Sequence, residues 1–319
     1  MSEADVAALR AGDRRALARA ITLGESSRPE DEARAEALLA ALGPAPEGTW
    51  RLGISGAPGV GKSTFIEAFG LHALAQGRRV AVLAVDPSSS LSGGSILGDK
   101  TRMERLARET GAYIRPSPSG GELGGVARRT REAIALVEAA GFDLTIVETV
   151  GVGQSETAVA AMTDMFLLLL APGAGDSLQG VKRGIMELAD LILVNKADGA
   201  LADAARHVVA DHRAAMALMR PHEDFWTPRV APCSALDGSG IAEAWAAVAD
   251  YMSAAGAAGL AGKRRRQAAA ALWDEVVRLA TARLRADPRR RERLARLEGE
   301  VAAGRLALRQ AARDLLDGA

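Results

Sequence analysis

Arg51–Thr64 reads RLGISGAPGVGKST. A short apolar run ends in a glycine-rich turn, and a helix-forming stretch follows. The turn, Gly56-Ala57-Pro58-Gly59-Val60-Gly61-Lys62-Ser63, fits G-x-x-x-x-G-K-[ST]. Strand, turn and helix in that order are the context a phosphate-binding loop requires. Its glycines let backbone N–H groups turn inward around phosphate oxygens. The helix N-terminus adds its dipole. The expected roles follow. The loop backbone cradles the phosphates, the Lys62 ammonium reaches the β- and γ-phosphates, the Ser63 hydroxyl ligates Mg²⁺, and Thr64 touches the α-phosphate.

Working outward, further apolar runs occur at Arg79–Val85, Leu144–Val150, Met165–Ala171, Leu191–Asn195 and Arg229–Cys233, with a weaker one at Tyr113–Arg115. Helical patterns separate them, at about Lys62–Gln76, Thr101–Thr110, Gly125–Ala140, Ser177–Ala189 and Leu201–Met219. Unalternated apolar strands alternating with helices predict an α/β fold, a mostly parallel central sheet covered on both faces. This P-loop domain is expected over residues 46–252. Before it, residues 1–45 read as a helical extension, with one helix over Ala4–Ile21 and another over Asp31–Leu42, ended by Gly43-Pro44. After it, residues 253–319 carry no strand pattern. They read as a helical arm with helices over Lys263–Arg285, Arg289–Glu298 and Glu300–Leu316.

Leu191–Asp198 (LILVNKAD) ends a buried strand in N-K-x-D. The Asp198 carboxylate can accept from both N1–H and the exocyclic amine of guanine. Adenine offers neither proton there, so it would leave the carboxylate unpaired in a desolvated pocket. The Lys196 stem can lie on the ring face and Asn195 can tie neighbouring loops together. Ser234-Ala235-Leu236 follows the last strand and suits a loop whose backbone N–H meets guanine O6. Downstream of a P-loop, this spacing asks for GTP.

Three loops leave the same rim of the expected sheet. The strand ending Glu148-Thr149-Val150-Gly151 places Glu148 where a carboxylate would hold Mg²⁺, and the Gly151 N–H can sense the γ-phosphate. Asp86 ends the second strand and points at the same ion. The Ser/Gly-rich stretch after it leads to Asp99, a candidate to position or activate the attacking water and to approach the metal. Asp99 also suits an N-cap for the next helix. GTPases of the Ras type place Gln just after the glycine to orient water. Here that residue is Val152, so intrinsic hydrolysis is expected to be slow or to use Asp99 or Gln154. The third loop, Ala171–Arg183, carries Asp176, Gln179 and Lys182, suited to report nucleotide state to a partner.

In order along the chain stand GAPGVGKST, DPSSSLSGGSILGDKTRM, VETVGVGQSE, APGAGDSLQGVKRGIMELADL and NKAD. Together they resemble the MeaB/ArgK family of P-loop GTPases, and the resemblance spans essentially the whole chain. It implies a homodimer joined through the C-terminal arm. It also implies a chaperone of adenosylcobalamin-dependent methylmalonyl-CoA mutase or a related acyl-CoA mutase, gating cofactor delivery, protecting the mutase and ejecting damaged cofactor at the cost of GTP, with GDP and phosphate as products. On that pattern Lys62, Ser63, Asp86, Asp99 and Glu148 match nucleotide and Mg²⁺ positions, and Gln179 and Lys182 match a switch that answers to the mutase. No D-x-H-x-x-G cobalamin motif occurs, so direct corrinoid binding is not expected.

Composition bounds the alternatives. In 319 residues, 40 Lys and Arg balance 40 Asp and Glu, which argues against a nucleic-acid binder. One cysteine, Cys233, excludes a disulfide framework and suits a reducing cytoplasm. The opening residues have no apolar core of a secretory signal, and the longest apolar run, Met165–Pro172, is too short to span a bilayer, so no membrane association is expected. The competing class is a metal-insertion or transport-linked nucleotide-dependent kinase. The four histidines show no Cys partner, which weakens it. The basic runs Lys263–Arg266 and Arg289–Arg291 are expected to be solvated helix faces. Trp273, Val276, Val277, Leu279, Leu284 and Leu294 suit either a tail core or a dimer seam.

Overall fold

The computed structural model describes residues 3–26, 28–85, 103–115, 123–149, 155–173 and 183–317. They divide into two compact units, Met1–Gln267 and Ala268–Ala319.

The first unit is built on a seven-stranded sheet: β1 (Trp50–Gly56), β2 (Val80–Val85), β3 (Ala112–Arg115), β4 (Leu144–Thr149), β5 (Met165–Leu170), β6 (Leu191–Val194) and β7 (Arg229–Pro232). The strand order is β3-β2-β4-β1-β5-β6-β7, and every pairing is parallel. β2, β4, β5 and β6 are buried along their whole length, as continuous apolar runs covered on both faces require. β1 lies in the middle, between β4 and β5. All the loops that follow the strands therefore emerge at one rim, the carboxyl ends, where ligands bind in open α/β sheets.

Two apolar cores lie against the sheet. One joins Phe65, Ile66 and Phe69 of α4 (Lys62–Ala75) to Leu52, Ile54, Val82 and Ile146. The other joins Ile134 and Val137 of a later helix, Leu123–Ala139, to Leu83, Val147 and Phe166, and it takes in Leu9, Leu17, Ile21 and Leu38 from the N-terminal helices. Those helices are α1 (Glu3–Arg10), α2 (Arg14–Glu25) and α3 (Pro29–Leu42). The single helix expected over Ala4–Ile21 is thus two. The break falls at Gly12, and the Asp13 carboxylate caps α2 by accepting from Ala16 N at 2.7 Å. Arginines meet both edge strands. Arg14 donates to Ala112 O of β3 at 2.6 Å and Arg213 to Val230 O of β7 at 2.9 Å. This blunts edges that would otherwise be open to pairing.

Between β2 and β3 lies α5 (Glu104–Arg108), and α6 is the Leu123–Ala139 helix. After β4 comes α7 (Ser155–Ala160), which no pattern in the sequence announced. Of the helix expected over Ser177–Ala189, the described part is α8 (Arg183–Met186). A 3₁₀ turn, Gly199–Leu201, and α9 (Ala202–Ala217) follow β6. α10 runs from Ile241 to Ala286, interrupted by non-helical backbone at Gly256.

The basic run Lys263–Arg266 is a solvated face only in its second half: Arg265 and Arg266 are exposed, whereas Lys263 and Arg264 are not. Lys263 is buried, and its ammonium donates to Asp164 O at 2.6 Å and to the Tyr251 hydroxyl at 3.0 Å. Arg264 reaches the starts of two strands. It donates to both Asp164 carboxylate oxygens, at 2.8 and 2.6 Å, and to Thr49 O at 2.7 Å. The Asp164 carboxylate also accepts from Arg51 N at 2.9 Å. This knot sits at the amino ends of β1 and β5, opposite the rim. The periodicity of a basic helix cannot reveal it, because the partner acid is about a hundred residues away.

The second unit holds the end of α10, α11 (Pro288–Ala302) and α12 (Leu308–Asp317). Leu297 and Ala311 are buried there, whereas Leu272, Trp273, Val276, Val277 and Leu279 are exposed, so these residues are no tail core. Among the described residues no helix is long and apolar enough to cross a membrane.

Replacing Arg264 by Ala leaves the fully buried Asp164 carboxylate without its bidentate partner. Unfolding free energy from urea titration is expected to fall by about 3 kcal/mol or more, while Arg289→Ala on an exposed position changes it by less than about 0.5 kcal/mol.

Candidate nucleotide site

The rim is organised by the loop between β1 and α4. Gly61, the residue before α4, is left-handed at φ 94°. A Cβ at Gly61 would lie 2.7 Å from Asn195 Nδ2, so only glycine lets the loop close against the side chain that follows β6. Lys62 opens the helix and folds back. Its Nζ donates to Gly56 O at 2.7 Å and Ala57 O at 3.3 Å. Burial lowers its pKa from the ordinary value, and the charges of Glu148 and Glu156 act the other way.

Glu148, at 4% exposure, is no solvent-facing strand tip. Parallel pairing carries β4 past β1, with Ile54 opposite Glu148, and so brings the carboxylate to the start of α4. There Glu148 Oε1 stands 3.5 Å from Ser63 Oγ. Next to it Thr149 Oγ1 donates to Ser55 Oγ at 2.9 Å, locking the ends of the two strands together.

β6 supplies the other half. Asn195 is buried; its Nδ2 donates to Val60 O at 2.9 Å and its Oδ1 accepts from Ala235 N at 3.0 Å. One side chain thereby joins the P-loop, β6 and the loop after β7. Lys196 adopts φ 58°, a conformation L side chains rarely take, and its Nζ donates to Gly59 O at 2.7 Å. Asp198 precedes the 3₁₀ turn, but its side chain makes no capping bond, which removes the plain helix start as the reason for an acid there. Beside these residues opens a cavity of about 300 Å³. It is lined by Gly61, Thr64, Asn195, Lys196, Asp198, Leu201, Ser234, Ala235 and Leu236. All but Leu201 are anticipated from the sequence. Leu201 follows N-K-x-D by three residues and has only its apolarity as a signal. Cys233 lies against Asn195 Oδ1 at 3.8 Å, and burial pushes its thiol up to about 12, so it is an inert packing residue.

Asp86, Asp99, Gly151, Gln154, Asp176, Gln179 and Lys182 lie outside the described residues. Among the described residues no three His, Cys, Asp or Glu side chains form a metal cluster. The histidines are used elsewhere. His212 Nδ1 pairs with Val208 O at 2.9 Å, and His222 Nε2 stands 3.0 Å from Asp190 Oδ1. A hydroxyl and a buried carboxylate converging beside a phosphate loop are hard oxygen donors, which fits Mg²⁺ and not a softer ion.

The comparisons agree with this geometry. The family described as "Methylmalonyl Co-A mutase-associated GTPase MeaB" matches residues 17–289. GTPase ArgK of Escherichia coli is 52% identical over 262 residues, which cover 81% of this chain and 78% of that protein. The mitochondrial methylmalonic aciduria type A homolog of Mus musculus is 46% identical over 316 residues, 96% of this chain and 76% of that protein. A crystal structure described as LAO/AO transport system kinase superposes with a TM-score of 0.80 at 39% identity, covering 99% of this chain and 98% of that one.

On the guanine reading of N-K-x-D, replacing Asp198 by Asn is expected to lower the preference for guanine over adenine nucleotides by about tenfold or more, since one of the two acceptors becomes a donor facing N1–H or the amine. Competition binding against a fluorescent GTP analogue measures it.

Proposed function

Because the chain belongs to the methylmalonyl-CoA mutase-associated GTPase (MeaB) family, we propose that it is a Mg²⁺-dependent cytoplasmic GTPase that serves an adenosylcobalamin-dependent methylmalonyl-CoA mutase as a chaperone. It gates cofactor loading and protects or reactivates the mutase, with nucleotide state as the signal. The observation that carries this reading is the meeting of the Lys62 loop and the Asn195–Asp198 cavity at one rim of the sheet.

On this reading the P-loop backbone and Lys62 hold the β- and γ-phosphates, and Asp198 accepts from the guanine edge. Ser63 and Glu148, with Asp86 and Asp99, are the residues that would hold Mg²⁺, which when bound neutralises charge on the phosphate oxygens. Water attacks the γ-phosphorus in line, the bond from that phosphorus to the β–γ bridging oxygen breaks, and GDP and inorganic phosphate leave, the water's proton passing to phosphate or solvent. Asp99 is the group proposed to orient that water, and the Gly151 N–H the group that senses the γ-phosphate. Catalysis is positioning and charge neutralisation. The corrinoid stays with the mutase. Gln154, Asp176, Gln179 and Lys182 are proposed as the surface that reports nucleotide state to it.

The arm, residues 253–319, is proposed to join two copies. Exposure of Leu272, Trp273, Val276 and Val277 along α10 supports this, since a contiguous apolar stripe marks an interaction surface.

A turnover assay with and without purified methylmalonyl-CoA mutase tests the proposal. Phosphate release from GTP is expected to rise when the mutase is added. Lys62→Ala should lower kcat/KM by about a hundredfold or more in both conditions. A rate indifferent to the mutase would remove the chaperone role, and a Lys62→Ala protein with the parent rate would remove the phosphate assignment.

A further inference from the structure

An exposed leucine needs no explanation when it stands alone on a surface. Among the described residues of the first unit three large apolar side chains are exposed: Leu201, Leu218 and Leu236. Two of them, Leu201 at 40% and Leu236 at 83%, line the same cavity of about 300 Å³ beside Asp198. Neither is a member of the two apolar cores. Both are held at the cavity by backbone that its polar part shares. Leu201 N donates to Asp198 O at 3.1 Å, closing the 3₁₀ turn that carries the leucine. Leu236 follows Ala235, whose N–H is fixed by Asn195 Oδ1 at 3.0 Å. The turn around Leu236 is closed by Gly238 N donating to Ser234 O at 3.0 Å and Asp237 N donating to Ser234 Oγ at 3.3 Å. Two polar members of the lining already have partners. Asn195 uses its amide on Val60 O and Ala235 N, and Lys196 Nζ donates to Gly59 O.

We propose that Leu201 and Leu236 are the apolar cover for the ring of the bound base. The inference rests on the guanine reading of this cavity and deepens it. A purine carries its hydrogen-bonding groups on its edge, whereas its two faces are apolar. A carboxylate can read the edge and offers the faces nothing. Apolar side chains do the reverse, because their contribution is non-directional and follows the area removed from water. The two parts of the cavity therefore divide the work. Asp198 sets which base is preferred, and Leu201 and Leu236 set how tightly any purine in the cavity is held. Leu236 has the larger uncovered surface to lose, so it contributes more.

Calorimetric titration of the full chain with GDP and with inosine diphosphate, in the presence of Mg²⁺, tests this. Inosine diphosphate keeps the purine ring and lacks the exocyclic amine that Asp198 would accept from. Leu236→Ala and Leu201→Ala are each expected to raise Kd about three- to tenfold for GDP, and by the same factor for inosine diphosphate, with the larger effect at Leu236. The heat-capacity change of binding should become less negative, as a loss of buried apolar area requires. Leu236→Met keeps most of the apolar volume and should bind as the parent does. The melting temperature of the nucleotide-free protein should stay where it is, since neither side chain belongs to a core. An unchanged Kd in both Ala variants overturns the inference. So does a raised Kd accompanied by a lower melting temperature of the free protein, which is an effect on the fold. A changed ratio of the two affinities also overturns it, because the leucines would then act on the edge of the base and not on its faces. If the parent binds GDP and the Ala variants bind it equally well, only the apolar cover falls. If the parent binds neither nucleotide, the guanine reading falls first.

Discussion

Asn195 makes the hydrogen bonds on which the rim depends. Its amide donates to Val60 O in the P-loop and accepts from Ala235 N in the loop after β7. The side chain is buried, so leaving either group unpaired would be costly. The phosphate loop and the base cavity are therefore one preorganised body and not two adjacent loops. Gly61 is glycine because Asn195 must pass it, and Lys196 holds its uncommon backbone conformation while reaching back to Gly59 O. A site built this way spends little binding energy on ordering itself.

Much of this was legible in the sequence, for a definite reason. The strands are buried on both faces, so each reads as an uninterrupted apolar run, and the glycine and lysine spacing of the P-loop has few other uses. Eight of the nine residues lining the cavity stand in two short motifs and the P-loop's end. What escaped was either too short or long-range. α7 has only 6 residues, so periodicity had too few to register. Lys263 and Arg264 read as solvated cations because their partners, Asp164 and Tyr251, are distant or offset in the chain. The helix expected over Ala4–Ile21 splits at Gly12 because Asp13 caps α2, a bond between near neighbours that helical periodicity does not register.

The two ends of β1 are used differently. The amino end is bound by charge, with Arg264 on Thr49 and Asp164, and Arg51 on Glu138 at 2.7 Å. Buried bidentate pairs of this kind fix geometry more than they add stability. The carboxyl end is bound by neutral hydrogen bonds and glycine contacts, and Lys62 and Glu148 lie beside it. The strand is thus anchored where nothing needs to bind.

The central claim is that this rim holds guanine nucleotide through Lys62 and the Asn195–Asp198 cavity. Isothermal titration of the intact chain, with Mg²⁺ present, against GDP, a non-hydrolysable GTP analogue and the matching ATP analogue tests it most directly. The account predicts saturable heat with both guanine nucleotides at one site per chain and much weaker heat with the adenine analogue. No heat with either guanine nucleotide, or equal affinity for the adenine analogue, would contradict it.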